Sequence, residues 1–142
     1  QPAGDDAGRY RAARRVALVE DANLHLPGPA GYKVSNIPLD PSTEPPKEVF
    51  EVDRSRLFGL MTTADVLVGI RQRRLGNAAV AASKYADPEY VYEDLDRARA
   101  LMRKLGAIVI HTENRAVEET AQEILRYYER AHPQGADIVI RS

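Results

Sequence analysis

Short, uninterrupted apolar runs alternate along the chain with longer segments of helical period. Four runs have the length of buried strands: residues 16–19 (VALV), 32–39 (YKVSNIPL, ended by Pro38), 57–61 (LFGLM) and 107–110 (AIVI). A further strand is predicted at residues 137–140 (DIVI). Continuous apolar strands are typical of a parallel sheet that is covered on both faces.

The first predicted helix runs from residue 64 to about residue 75, with Thr63 as its cap and Gly76 just beyond its end. Its inner face is predicted to hold three apolar side chains: Val66, Leu67 and Ile70. Its other face is predicted to carry three arginines: Arg71, Arg73 and Arg74.

The pattern predicts two more helices. The strongest runs from Pro88, after Asp87 as cap, to a stop at Gly106. Its predicted buried stripe is Tyr92, Leu95, Ala98, Met102 and Leu105. The last helix is expected to open at Asn114 and to end before Pro133. Its predicted inward positions are Val117, Ala121, Ile124 and Tyr128.

Strands that alternate with helices predict an α/β fold, with a mostly parallel sheet and flanking helices. Residues 1–15, rich in Gly, Asp and Arg, are expected to form a mobile arm before a single α/β domain over residues 16–142. The three prolines of residues 40–47 predict a long connection of the kind that often covers a site. Residues 77–83 (NAAVAAS) are expected to form a hinge or lid.

Composition narrows the function classes. The chain has 20 Lys and Arg against 21 Asp and Glu, so its field would gather neither nucleic acid nor an anionic membrane. It has no cysteine, and its three histidines share no metal-ligand spacing, so we expect no protein-held metal. No apolar run reaches the roughly 20 residues that span a bilayer, and we expect a cytoplasmic protein.

Ligands of parallel α/β sheets bind outside the carboxyl ends of the strands. This rule places candidate sites in the segments that follow Val19, Leu39, Met61 and Ile110. No internal repeat is visible in the sequence.

Several motifs occur in the order and spacing of one known family. They are GYKVSNIPL from Gly31, EPPKEVF, LFGL, IRQRRL at residues 70–75, and NRAVEETAQEIL at residues 114–125. Over residues 31–128 the chain resembles the regulatory proteins of pyruvate phosphate dikinase and phosphoenolpyruvate synthase. The resemblance implies a P-loop-kinase-like fold, with ADP and magnesium as cofactors. It implies one of those two enzymes as partner, and leaves a homodimer open.

In that family a glycine-rich loop ending in Lys-Thr holds the nucleotide phosphates ahead of the GYKV strand. The corresponding stretch here, residues 20–30 (EDANLHLPGPA), does not match that loop. Pro27 and Pro29 lack backbone donors, and Glu20 and Asp21 would repel phosphate. Lys33 follows Gly31 by two places but falls within the predicted strand.

Four residues are candidates for binding nucleotide or phosphate: Arg71, Arg73, Arg74 and Lys33. Arginine binds phosphate oxygens bidentately, but a solvated helix face explains these arginines slightly better, and a solvent-facing strand position is the commoner explanation of Lys33. The closing motif holds Asn114, Arg115, Glu118 and Glu119, of which Asn114 is also explained as a helix cap. The family more often has Asp at His111 and Thr at Glu113. No catalytic residue can be assigned.

Two hypotheses about function remain. By resemblance, the chain is a bifunctional serine/threonine kinase and phosphorylase that uses ADP and phosphate, impaired or incomplete in its phosphate loop. Alternatively, it is a non-catalytic module of the same fold that binds a partner or dimerises.

Overall fold

The computed structural model of the chain describes residues 14–40, 44–76 and 84–133. Four parallel strands form one sheet: β1 (Arg15–Asp21), β2 (Lys33–Leu39), β3 (Leu57–Met61) and β4 (Ile108–His111). In the described ranges, three α-helices flank it: α1 (Ala64–Leu75), α2 (Pro88–Leu105) and α3 (Val117–Ala131). Two 3₁₀ helices, Lys47–Glu51 and Arg54–Arg56, precede β3. The predicted α/β fold with a parallel sheet and flanking helices is confirmed.

The strand order is β2-β1-β3-β4. β1 pairs with β2 along its whole length, from Arg15↔Lys33 to Asp21↔Leu39, and with β3 on its other side. The chain therefore leaves β1 toward one edge of the sheet and later crosses back to the other side. In open parallel sheets this reversal creates a crevice at the carboxyl ends of the strands.

The two faces of the sheet bury separate cores. Ala17 and Val19 of β1 belong to a core with residues of α1 and α2, such as Leu67 and Met102. Val16 and Leu18 belong to a second core with Ile124 and Tyr128 of α3. This alternation is the period of two expected for a strand that is buried on both faces.

The ends of α1 and α2 follow the predicted signals. Thr63 Oγ1 accepts a hydrogen bond from the Val66 backbone N–H, and Gly76 follows the last residue of α1. Gly106, with φ of 71°, lies beyond α2 in the left-handed conformation that glycine tolerates best. Capping residues and glycines therefore predicted the bounds of both helices correctly.

The predicted buried faces of the helices were partly wrong. In α1, Val66 is 41% exposed whereas Arg71 is completely buried. Arg71 follows Leu67 by four residues and so lies on the same side of the helix. Ion pairs with two carboxylates, Asp21 and Asp94, compensate the burial of its charge. In α2, Tyr92 is exposed and Asp94 is buried.

Smaller corrections concern α3 and the strand ends. Val117 is exposed and Thr120 is buried, while Ile124 and Tyr128 face inward as predicted. The helix starts at Val117 rather than Asn114, whose φ is 59°. Pro38 lies within β2 instead of ending it, which an edge strand permits.

Several predictions fall on parts of the chain that are not described. They concern the arm over residues 1–13, the hinge at residues 77–83 and the strand at residues 137–140. Arg15 already belongs to β1. Among the described residues, no helix combines the length and the apolar character needed to cross a membrane.

Candidate functional site

A cavity of about 220 Å³ lies at the carboxyl ends of β1, β2 and β3. Its walls are mostly apolar, with Leu24, Leu39, Leu95, Leu101 and Met102 among them. Polar residues also line it: Asp21, Asp40, Thr62, Asp94 and Arg97. The cavity occupies the crevice that the strand order creates, where α/β proteins bind their ligands.

The buried Arg71 guanidinium joins the elements around this cavity. Its Nη2 donates to Asp21 Oδ2, at the end of β1, over 2.9 Å. Its Nη1 donates to Asp94 Oδ2, on α2, over 2.9 Å. Asp94 and Arg71 are both more than nine-tenths buried, so each charge depends on the other for compensation. Arg71 thus ties α1 to the sheet and to α2.

Tyr85 completes the surroundings of this guanidinium. Its backbone carbonyl accepts a second hydrogen bond from Arg71 Nη1 at 2.8 Å, and its ring centroid lies 4.4 Å from Arg71 Cζ. Burial on its own would lower the pKa of Arg71. The hydrogen bonds and charges of Asp21 and Asp94 outweigh burial and raise that pKa, so the cation is stabilised.

The two carboxylates hold further neighbours in place. Asp21 Oδ1 accepts hydrogen bonds from the backbone N–H and from Nδ2 of Asn23, at 2.9 and 2.8 Å. Asp94 Oδ1 accepts from Nη1 of Arg97 at 3.3 Å. Arg97 is exposed and lines the cavity. A ligand in the cavity can therefore contact the Arg97 guanidinium at the solvent-facing side of the cavity.

Three buried polar atoms of the described residues have no hydrogen-bond partner: Thr62 Oγ1, Arg71 Nε and Glu113 Oε2. Thr62 directly follows β3, is 3% exposed and lines the cavity. Glu113 lies two residues beyond the end of the neighbouring strand β4. Leaving such an atom unpaired costs roughly 1–3 kcal/mol, so these three atoms lower the stability of the fold at this end of the sheet.

In the connection from β1 to β2, the backbone N–H groups of Asn23, Leu24 and Leu26 donate within the protein. The N–H of Leu24 donates to the Asp21 carbonyl, and the N–H of Leu26 donates to the Glu20 carboxylate at 3.1 Å. Glu20 is buried, and desolvation raises its pKa even though hydrogen bonds from Leu26 and Asn36 oppose that rise. Amides that are bonded to carboxylates do not form an anion-binding nest.

The described residues offer a metal ion no obvious site. No group of three or more His, Cys, Asp or Glu side chains among them could hold one. Both oxygens of Asp21 already accept hydrogen bonds from Asn23 and Arg71. The donor set therefore does not fit a protein-held magnesium ion, which prefers free carboxylate oxygens with water or phosphate.

The four predicted binding residues do not come together at the cavity. Arg71 lies behind it in the salt-bridge network, whereas Arg73 and Arg74 are exposed on α1. Lys33 opens β2, and it is Leu39, at the other end of that strand, that lines the cavity. Phosphate binding by these four residues stays a prediction.

The sequence interpretation missed Thr62, Asp94 and Arg97. A signal for Thr62 was present, because it follows the predicted strand at Met61, where a site was expected. Asp94 directly precedes Leu95 of the predicted buried stripe, and an acid beside buried positions pairs with a buried base. Arg97 had no comparable signal.

Comparison with known proteins places the chain among named relatives. The profile of a family described as Kinase/pyrophosphorylase matches residues 23–125. The chain is 48% identical over 101 residues to a putative pyruvate, phosphate dikinase regulatory protein of Geotalea daltonii, covering 70% of this chain and 38% of the relative. A protein of the same description from Pediococcus pentosaceus is 42% identical over 96 residues, covering 67% and 36%.

A third relative, from Syntrophomonas wolfei, is described as putative pyruvate, phosphate dikinase regulatory protein 2. It is 41% identical over 99 residues, covering 69% of this chain and 36% of its own length. The chain thus spans a little over a third of the length of these relatives. The matched range takes in β2, β3, β4, α1, α2 and most of α3. It includes the cavity-lining ends of β2 and β3 but not that of β1.

Proposed function

The chain belongs to the Kinase/pyrophosphorylase family, and from that premise we propose that it is an ADP-binding regulatory protein of pyruvate phosphate dikinase or phosphoenolpyruvate synthase that is impaired in the ADP-dependent phosphorylation of its target. In the forward reaction a threonine hydroxyl of the target attacks the β-phosphorus of ADP, its proton is lost and AMP leaves. In the opposing reaction inorganic phosphate attacks the phosphorus of the phosphothreonine, the bond from phosphorus to the threonine oxygen breaks, that oxygen takes up a proton, and pyrophosphate is released. The names of the relatives support pyruvate, phosphate dikinase as the target.

The cavity at the carboxyl ends of β1, β2 and β3 is the observation that supports nucleotide binding by this chain. It lies where α/β folds bind nucleotides, and it combines apolar walls with the exposed cation of Arg97. Arg71 contributes by fixing Asp94, which in turn holds Arg97. We assign no step to magnesium, because the described donors do not fit it.

Phosphoryl transfer itself needs donors that hold the phosphates in line. In the β1–β2 connection the amides of Asn23, Leu24 and Leu26 are committed to Asp21 and Glu20. This supports a chain that binds ADP and its target but does not by itself complete the transfer. The same observation favours a second candidate function, a non-catalytic module that binds the target or a second copy without nucleotide.

Calorimetric titration of ADP into the purified chain separates these functions. We expect saturable binding in the millimolar range or tighter, weakened about 10-fold in Arg97→Ala through loss of one charge-assisted contact. Arg99→Ala is the matched control, because Arg99 also lies exposed on α2 and pairs with an aspartate three residues before it. The proposal fails if ADP does not bind, or if both variants lose affinity equally.

A transfer assay tests the expected impairment. The chain is mixed with pyruvate phosphate dikinase and ADP carrying a labelled β-phosphate, and phosphothreonine is measured on the dikinase. We expect the dikinase to be retained by the immobilised chain but to remain unlabelled. Labelling at a rate comparable with a regulatory protein from one of the relatives would show that the phosphate donors are present.

A further inference from the structure

We infer that the chain has a second binding surface, which docks an acidic segment of the target enzyme that also carries an apolar side chain. This surface lies where the 3₁₀ helices meet the end of α2. We term it the basic aromatic patch, and it consists of Lys47, Phe50, Arg54, Arg103 and Lys104. None of these five residues lines the cavity. The inference rests on the proposed function, which supplies the target enzyme, and it adds the surface that holds that enzyme.

The aromatic ring of Phe50 is the apolar part of the patch. Phe50 is 52% exposed, whereas Val49 beside it is 1% exposed and belongs to the core between the sheet, α1 and α2. Val49 therefore fixes this segment to the fold, and the Phe50 ring is left largely to solvent. Covering the ring with an apolar side chain of a partner would remove that surface from water, and aromatic side chains are enriched at the centres of protein interfaces.

Cations flank this ring on two elements. A 3₁₀ helix has three residues per turn, so Lys47 and Phe50 lie on one side of the first 3₁₀ helix, while the acids Glu48 and Glu51 lie on another. From α2, Lys104 Nζ lies 5.8 Å from the centroid of the Phe50 ring. The exposed ring is thus bordered by positive charge rather than by the acids of its own helix.

Arg54 extends the positive charge across the end of α2. A Cβ at Gly106 would lie 2.7 Å from Arg54 Cδ, so the glycine allows this arginine to pack against the helix end. The Gly106 N–H donates to the carbonyl of Arg103, the exposed cation of the last turn. Arg103 and Lys104 favour the helix dipole, which explains their position without a partner. Arg54 belongs to no α-helix, so the helix dipole does not account for it.

The charges of the patch are available to a partner. Elsewhere on the chain, Arg97, Arg99 and Arg115 each pair with a carboxylate. Within the part of the chain that the structure describes, the cations of the patch form no ion pair. Acidic side chains of a partner would complement them. The net charge of -1 gives the chain no long-range field that gathers nucleic acid, so a protein segment is favoured.

Binding of pyruvate phosphate dikinase to the immobilised full chain, measured without ADP, tests this surface. We expect the Phe50→Ala variant to bind the dikinase about 10-fold more weakly, through loss of the aromatic anchor. The double variant with Arg103→Glu and Lys104→Glu should lose at least as much, and the affinity of the parent protein should fall as salt is added. ADP affinity and the cooperative unfolding of the variants show that they are folded.

The matched controls change the same chemistry elsewhere. Tyr92→Ala removes an aromatic side chain that is 57% exposed on α2, and the double variant with Arg126→Glu and Arg130→Glu reverses two exposed cations of α3. Both should bind the dikinase within about twofold of the parent protein.

Equal binding by the patch variants, the controls and the parent protein would overturn the inference and leave the proposed function standing. Displacement of the dikinase by a single-stranded oligonucleotide would also overturn it, because the patch would then be a nucleic-acid surface. If the parent protein binds ADP but not the dikinase, both the docking surface and the proposed target are wrong.

Discussion

The two ends of the sheet use similar side chains in opposite ways. At the carboxyl ends, Arg71 and its carboxylates surround a cavity, and the three buried polar atoms without a partner in the described chain lie at this end. At the amino ends, Arg56 and Tyr128 form a cluster with Tyr32, Ser55 and His132, which we term the amino-end cluster.

The amino-end cluster is closed by its own contacts. Arg56 Nη1 donates to the Tyr128 hydroxyl at 2.8 Å. The rings of Tyr128 and Tyr32 pack perpendicular to each other, with centroids 4.9 Å apart. The His132 ring stacks on the Tyr128 ring, with centroids 4.6 Å apart. His132 Nε2 lies 2.7 Å from Ser55 Oγ. These groups satisfy one another and fill the space between α3 and the strand ends.

The contrast separates stability from function. Groups whose hydrogen bonds and ring contacts satisfy one another stabilise the fold and leave no room for a ligand. Groups that remain incomplete around a cavity cost stability unless a ligand compensates them. Substitutions in the amino-end cluster should therefore change stability alone, whereas substitutions around the cavity should also change ligand binding.

The largest expected effect comes from Arg71→Met. The substitution leaves Asp94 and much of Asp21 buried without their cation, which should destabilise the fold by about 3–5 kcal/mol. The measurement is urea unfolding followed by circular dichroism. The control variants Arg73→Met and Arg74→Met, exposed on the same helix, should stay within about 0.5 kcal/mol of the parent protein. A loss below about 1 kcal/mol for Arg71→Met would show that the network is not a support of the site.

An intermediate effect is expected from Tyr128→Phe. It removes the hydroxyl that accepts from Arg56 and keeps the ring contacts, so stability should fall by about 1.5 kcal/mol. ADP affinity should not change, because the cluster lies at the other end of the sheet. Tyr127→Phe, on the neighbouring half-buried tyrosine, serves as the control. Weaker ADP binding by the Tyr128→Phe variant, at a temperature where the variant is fully folded, would contradict the separation of stability at the amino ends from ligand binding at the carboxyl ends.

The smallest effect concerns Glu20, whose pKa is raised mainly by desolvation. The folded protein then binds this proton more tightly than the unfolded chain, so the contribution to stability is present at acid pH. It is lost as the pH rises from the ordinary glutamate value through the raised pKa. Glu20→Gln does not ionise, and its amide oxygen can still accept from the N–H of Leu26.

Thermal unfolding from pH 4 to pH 8 measures this difference. Relative to Glu20→Gln, the parent protein should lose stability as the pH rises through that window. The exposed Glu118→Gln variant should follow the profile of the parent protein. Parallel profiles for Glu20→Gln and the parent protein would show that burial does not perturb Glu20.

The sequence predicted the parallel sheet and the helix bounds well, because both depend on local patterns. Apolar runs predicted the four described strands, and Thr63, Gly76 and Gly106 marked helix ends. The rule on carboxyl ends also predicted where the cavity lies, since Asp40 and Thr62 follow two of the predicted strands and line the cavity. Topology therefore locates a cavity before any residue that lines it is known.

The identity of the polar residues around the cavity could not be predicted in the same way. Arg71 was expected at the surface because hydrophobic periodicity treats every charge as exposed. Its burial depends on Asp21 and Asp94, which lie 50 and 23 residues away along the chain. Likewise, no local pattern shows that the Thr62 hydroxyl lacks a partner while the Thr63 hydroxyl caps α1.

Chemical-shift mapping of the labelled chain during an ADP titration tests the central claim most directly. The account predicts that the largest changes occur around the cavity, at Leu24, Thr62 and Leu101, and that Tyr128 and His132 remain unchanged. Changes centred on the amino-end cluster, or no changes at saturating ADP, would contradict the assignment of the nucleotide to the carboxyl ends of the strands.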